Sequence, residues 1–159
     1  MKFLLETPDP VTVLGQQVSL MWIVIGAALV IFMQAGFALV ETGMTQAKNA
    51  AHVVSTNFAI FGLGFIGFYL VGFAFSFGGF SYSAFGMDAP VGSALLGSGD
   101  WIFLWKGGWA LSGSTITPAV VGFFLYMVAF MDTVATIPTG SMAERWKWNS
   151  FVLWGFFCG

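Results

Sequence analysis

Three long stretches of the chain carry no charge at all. No Asp, Glu, Lys or Arg occurs between Asp9 and Glu41, between Lys48 and Asp88, or between Lys106 and Asp132. Each stretch exceeds the roughly 20 apolar residues an α-helix needs to cross a hydrocarbon layer about 30 Å thick. A lone charge inside such a layer costs about 2.5–3.5 kcal/mol on insertion scales, which is why spanning segments exclude them. Helices are therefore predicted at about 17–41, 51–77 and 115–142. A fourth apolar run opens at Asn149 and is still running at Gly159. It is about half a span long, so it is expected to be the start of a truncated fourth helix, and the sequence to be a fragment. The expected fold class is all-α: a polytopic helical bundle in a lipid bilayer.

Composition removes several function classes. Only 8% of residues are charged, where a water-soluble domain has about one quarter. The five basic residues, Lys2, Lys48, Lys106, Arg145 and Lys147, form no stripe along which phosphates could be neutralised, so nucleic acid is not an expected partner. A single cysteine, Cys158, and a single histidine, His52, cannot build a disulfide framework, a Cys/His zinc site or an oriented nucleophile. Asp132 is the one acid inside a predicted span. No enzyme and no cofactor is expected.

The segment at about 78–113 differs from its neighbours. Gly-Gly, Ser-Tyr-Ser, Asp88-Ala-Pro90 and Gly-Ser-Gly-Asp100 are turn and breaker signals, so the segment is read as an ordered extramembrane loop. Its Trp101, Trp105 and Trp109 suit either a headgroup interface or packing inside the loop. The connection after the first span carries Lys48, and the one after the third carries Arg145 and Lys147. Lys2 and Lys106 lie on the opposite side, together with Glu6, Asp9, Asp88 and Asp100. Basic residues favour the cytoplasm, which puts the N-terminus outside. A cleaved signal peptide fits the first residues poorly: Glu6, Asp9 and two prolines precede the apolar core, and that core is too long.

Glycines recur through the second span at Gly62, Gly64, Gly67 and Gly72, the pattern of a helix whose backbone approaches its neighbours closely. The third span is the most unusual. Asp132 must face protein or water and needs a partner; its own helical neighbours are Val128, Ala129, Ala135 and Thr136, so a partner on another helix is expected. Pro138 removes a backbone donor and frees a carbonyl near Val134, with Thr133, Thr136 and Thr139 available to re-bond such groups. Two roles fit Asp132: an interhelical hydrogen bond in a kinked helix, or direct contact with a permeating species.

The stretch Phe32-Met-Gln-Ala-Gly-Phe-Ala-Leu-Val-Glu-Thr-Gly-Met-Thr-Gln-Ala-Lys48-Asn49 resembles the end of the first helix of the Amt/Mep/Rh ammonium transporters. There, a Gln-x-Gly-Phe-Ala segment leads to a glycine and then to Lys-Asn. Phe124-Leu-Tyr-Met-Val-Ala-Phe130, followed by Gly140-Ser-Met-Ala-Glu144-Arg145, resembles that family's third helix and its Ala-Glu-Arg exit. The two matches fall in the right order and cover nearly the whole chain, but less than half of the family's usual domain.

The resemblance implies an eleven-helix fold of two inverted five-helix halves plus a last helix, assembled as a homotrimer with one narrow pore per subunit in the inner or plasma membrane. It implies ammonium or ammonia as substrate, and a PII-type signalling protein as a partner at the cytoplasmic face. By motif position, Phe130 corresponds to the outer of two stacked phenylalanines that gate the pore. Lys48 and Asn49 correspond to a helix-connection signature. Glu144 and Arg145 are read as a cytoplasmic ion pair closing the third helix. Many relatives have a small or apolar residue where this chain has Asp132, so the family supplies no role for it, and His52 matches neither pore histidine. The alternative is an ammonium sensor, in which the same membrane fold is coupled to a signalling domain.

Overall fold

The computed structural model describes residues 9–98 and 101–159; Lys2, Glu6 and Asp100, used in the charge reading above, lie outside them. Helix α1, Pro10–Met44, opens with proline in its first turn, where a missing N–H costs nothing, and stops where Thr45 turns extended. After a 3₁₀ turn at Ala47–Asn49 comes α2, Ala50–Gly67. The helix does not end there. It widens into one π turn at Phe68–Gly72, where the Phe73 N–H reaches the Phe68 carbonyl, and resumes as α3, Phe73–Phe77. Helix α4, Pro118–Ser141, is capped by Thr117, whose hydroxyl oxygen accepts the Val120 N–H at 3.3 Å, with Pro118 in the first turn. Helix α5 is Trp148–Cys158.

The apolar helical runs Pro10–Met44, Ala47–Phe77 and Pro118–Ser141 hold 35, 31 and 24 residues. At 1.5 Å per residue even the shortest is about 36 Å long, more than a bilayer core. Helix α1 lies along α4, and α2 packs against both α4 and α5. The contact surface of α1 is narrow: its buried residues are Ala27, Gln34 and Glu41, seven apart, while Leu29, Phe32 and Leu39 face outward. Where α3 meets the start of α4, an aromatic cluster forms the core. Phe80 stacks on Phe123 with ring centres 4.6 Å apart, and Phe73 meets Phe124 edge-on at 5.2 Å.

The segment read as a loop contains an antiparallel hairpin, β1 Ser93–Ser98 and β2 Trp101–Lys106, paired from Ser93 opposite Lys106 to Ser98 opposite Trp101. The Trp105 ring fills the space over Gly78 and Gly79, where any Cβ would collide with it. The Trp109 indole donates to the Trp105 carbonyl at 3.0 Å, and its ring meets Phe75 edge-on. Trp105 and Trp109 are thus packed within the segment, whereas Trp101 is 75% exposed.

Helix α4 runs on through Pro138 to Ser141. The hydroxyls expected to re-bond the carbonyl near Val134 go elsewhere. Thr133 bonds the Ala129 carbonyl at 3.2 Å, and Thr139 bonds the Thr136 carbonyl at 2.6 Å. At the end of the turn Ser141 bonds the Pro138 carbonyl at 2.9 Å.

Candidate functional site

Helix α4 carries two chemically different faces. On one, the ring of Phe130 stands 42% exposed beside Tyr126, with centroids 4.9 Å apart and an edge-on tilt. Tyr126, four residues earlier, lies across Gly26 of α1, where a Cβ would come within 3.3 Å of its ring. The absence of a side chain at Gly26 is what lets the tyrosine lie there. An open aromatic pair of this kind offers π faces that attract a small cation by about 0.5–2 kcal/mol.

The other face is polar and buried. Asp132 follows Phe130 by two residues, about 200° around the helix at 100° per residue, and is 2% exposed. The ring and the acid therefore point in nearly opposite directions. The partner expected on another helix is instead Thr136 of α4 itself, with its hydroxyl 3.4 Å from Asp132 Oδ1; α1 is reached through that hydroxyl, which lies 3.3 Å from Gln34 Oε1. The helical i,i+4 spacing brings the two α4 groups together. Gln34 Nε2 in turn donates to the Asn57 carbonyl of α2 at 2.8 Å.

One to two turns further along, a second carboxylate is buried among the same helices. Glu41 Oε2 accepts from Asn57 Nδ2 at 2.7 Å, and the Thr139 hydroxyl lies 3.2 Å from Oε1. Asn57 is fully buried and also donates to the Val53 carbonyl, while its Oδ1 has no partner. Gly140 leaves room for the Glu41 carboxylate, since a Cβ there would come within 2.9 Å of Oε1. Sequence reasoning treated Glu41 only as the charge that ends the first span, and missed Asn57 as its partner. The seven-residue spacing Ala27, Gln34, Glu41 was the available signal.

At the exit of α4, Glu144 takes a left-handed backbone, φ 66°. Its Oε1 accepts from the Asn49 side chain at 2.9 Å and from the Gln46 N–H at 3.0 Å. These two hydrogen bonds hold the carboxyl below the usual carboxylate range; the charges of Lys48 and Arg145 contribute less. The ion pair read between Glu144 and Arg145 is thus not the main bond: Glu144 ties the α4 exit to the α1–α2 connection. Lys48 and Arg145 consequently sit on one side of the bundle. His52 stands against Trp148, ring centres 6.4 Å apart.

Three apolar helices of spanning length, joined by a buried polar seam that no water reaches, define an integral, multi-pass helical membrane protein. Residues 21–159 match the model of the Ammonium Transporter Family, and the chain belongs to that family. It is 33% identical over 138 residues to ammonium transporter Amt2 of Archaeoglobus fulgidus, covering 86% of this chain and 25% of that protein. Ammonium transporter Amt1 of Haloferax mediterranei is 33% identical over 91% of this chain and 24% of its own length. Ammonium transporter 1 member 3 of Solanum lycopersicum is 32% identical over 88% of this chain and 26% of its own. The chain thus spans about a quarter of the length of these curated relatives. No solved structure matches it significantly.

Proposed function

We propose that this chain forms part of a transporter of ammonium or ammonia and supplies the outer gate of its pore, the ring of Phe130. The observation that carries the reading is the family match over residues 21–159, with relatives named as ammonium transporters. Phe130 lies between the two motifs of the resemblance, and its open ring beside Tyr126 is suited to strip and admit a small cation while excluding water. The relatives' printed names favour transport over the sensing alternative.

In this reading the N-terminus is outside. Lys48, Arg145 and Lys147 face the cytoplasm, and a PII-type protein would meet the surface around Glu144. Three copies assemble with one pore each, and residues 1–159 form one part of the eleven-helix domain. The bond between Glu144 and the Gln46–Asn49 connection supports the orientation, because it gathers basic residues on one side. Phe130→Ala in the full-length protein, reconstituted in liposomes, tests the gate. Ammonium-evoked current should change and its selectivity over potassium should fall; current and selectivity both equal to wild type would show that the ring does not guard the path.

A further inference from the structure

Hydrogen-bond direction around Asp132 can be worked out from the acceptors alone. The Asn57 main-chain oxygen can only accept, so the group of Gln34 lying 2.8 Å from it must be the amide nitrogen. That orientation turns Gln34 Oε1, an acceptor, toward the Thr136 hydroxyl at 3.3 Å. Thr136 has a single hydrogen, and the acceptor of Gln34 needs it. The contact at 3.4 Å between the same hydroxyl and Asp132 Oδ1 then has a hydrogen only if the acid supplies one. With an ionised carboxylate, one donor would face two buried acceptors, in a place where unpaired polar groups are the exception. Thr136 is fully buried, Gln34 and Asp132 nearly so. The polar neighbours on the packed elements are Thr136 on α4, Gln34 on α1 with Glu41 seven residues on, and Asn57 on α2. Among the described residues no basic side chain balances a charge at Asp132.

We propose that Asp132 is held as the neutral acid and heads a one-way hydrogen-bond chain, Asp132 to Thr136 to Gln34 to the Asn57 carbonyl, that ties α4 through α1 to α2. Every donor and acceptor along that run is then used once in the same sense. Asp132 is a positioning residue. It sits behind the gate ring, on the opposite side of α4, and fixes the helix that carries Phe130 without placing a negative charge that would retain a passing cation. This role at the gate rests on the transport reading above; the proton on Asp132 does not.

Infrared spectroscopy of the full-length protein in lipid at neutral pH tests the assignment. Wild type should show the carbonyl stretch of a protonated carboxyl group. Asp132→Asn should lose that band, and Glu41→Gln should keep it. Thr136→Val, similar in size but without the oxygen, should shift the band to higher frequency, because the acid loses its acceptor. Asparagine keeps an N–H where the acid has its O–H, so Asp132→Asn should retain wild-type ammonium uptake across the neutral range, while Asp132→Ala loses uptake. A protein with no Asp132-dependent band, or a band that Thr136→Val leaves in place, would overturn the proposal. A wild-type protein that shows the band and carries no ammonium would sink the transport reading alone.

Discussion

The four glycines of the second span look alike in sequence, and the structure separates them. A Cβ at Gly62 meets nothing within 4 Å. At Gly67 it would overlap the Phe156 main-chain oxygen and come within 3.2 Å of the carbonyl carbon. Backbone cannot rotate aside as a side chain can, so Gly67→Ala must push α2 and α5 apart. Overpacking of this kind costs about 1–3 kcal/mol. Alanine also recovers about 0.8–1 kcal/mol of helix propensity over glycine, at both positions alike. The propensity gain therefore cancels between the two variants, which should differ by about 1–3 kcal/mol, with Gly62→Ala at or above wild-type stability. Gly64→Ala should fall between, because the nearest obstacle is the Met131 sulfur at 2.7 Å, the mobile part of a flexible side chain. Equilibrium unfolding of the purified protein in mixed micelles, titrated with a denaturing detergent, measures all three. Equal midpoints for Gly67→Ala and Gly62→Ala would refute the close approach of α2 and α5.

Two further predictions concern the polar groups. Asn57→Ala removes the 2.7 Å donor to Glu41 and should destabilise the protein by about 1–2 kcal/mol in the same assay, part of the loss being offset by removal of the orphan Oδ1. Asn57→Asp, which sets a second carboxyl against Glu41, should be worse; wild-type stability for it would contradict the contact. Glu144 has its carboxyl depressed in the folded state, so its hydrogen bonds stabilise the fold above the ordinary carboxylate pKa and are lost as pH falls through the lowered folded value. Exchange of the Gln46 amide hydrogen should accelerate in Glu144→Ala at neutral pH, and in wild type only on acidification below the usual carboxylate range.

The spans were legible because a charge in hydrocarbon is costly, so charge-free runs show where lipid can lie. Burial of Asp132 followed from the same rule. Its partner did not, because i,i+4 geometry supplied Thr136 from the same helix and an intervening hydroxyl carried the contact to α1. Glu41 was opaque for a different reason. Its partners Asn57 and Thr139 lie 16 and 98 residues away, and no local pattern joins them. The hairpin at Ser93–Lys106 was hidden by the glycines and by the aspartate around its turn, which read as breakers. The aromatic run Trp101-Ile-Phe-Leu-Trp105 was the strand signal, but six apolar residues in so apolar a chain have no distinguishing period. Phe130 was legible only through the resemblance, since periodicity alone does not single out one phenylalanine among nineteen.

The π turn at Phe68–Gly72 holds one more residue than a regular turn would. Loss of any single residue there, in a laboratory deletion or a natural lineage, would let the backbone relax into an uninterrupted α-helix. Everything beyond it would then revolve by about 100°. Phe73 and Phe77 would swing away from Phe123 and Phe124, and the glycine floor under Trp105 would turn with them. Length variation should therefore be tolerated at the hairpin tip and forbidden in these five positions, although both look equally unremarkable in the primary structure.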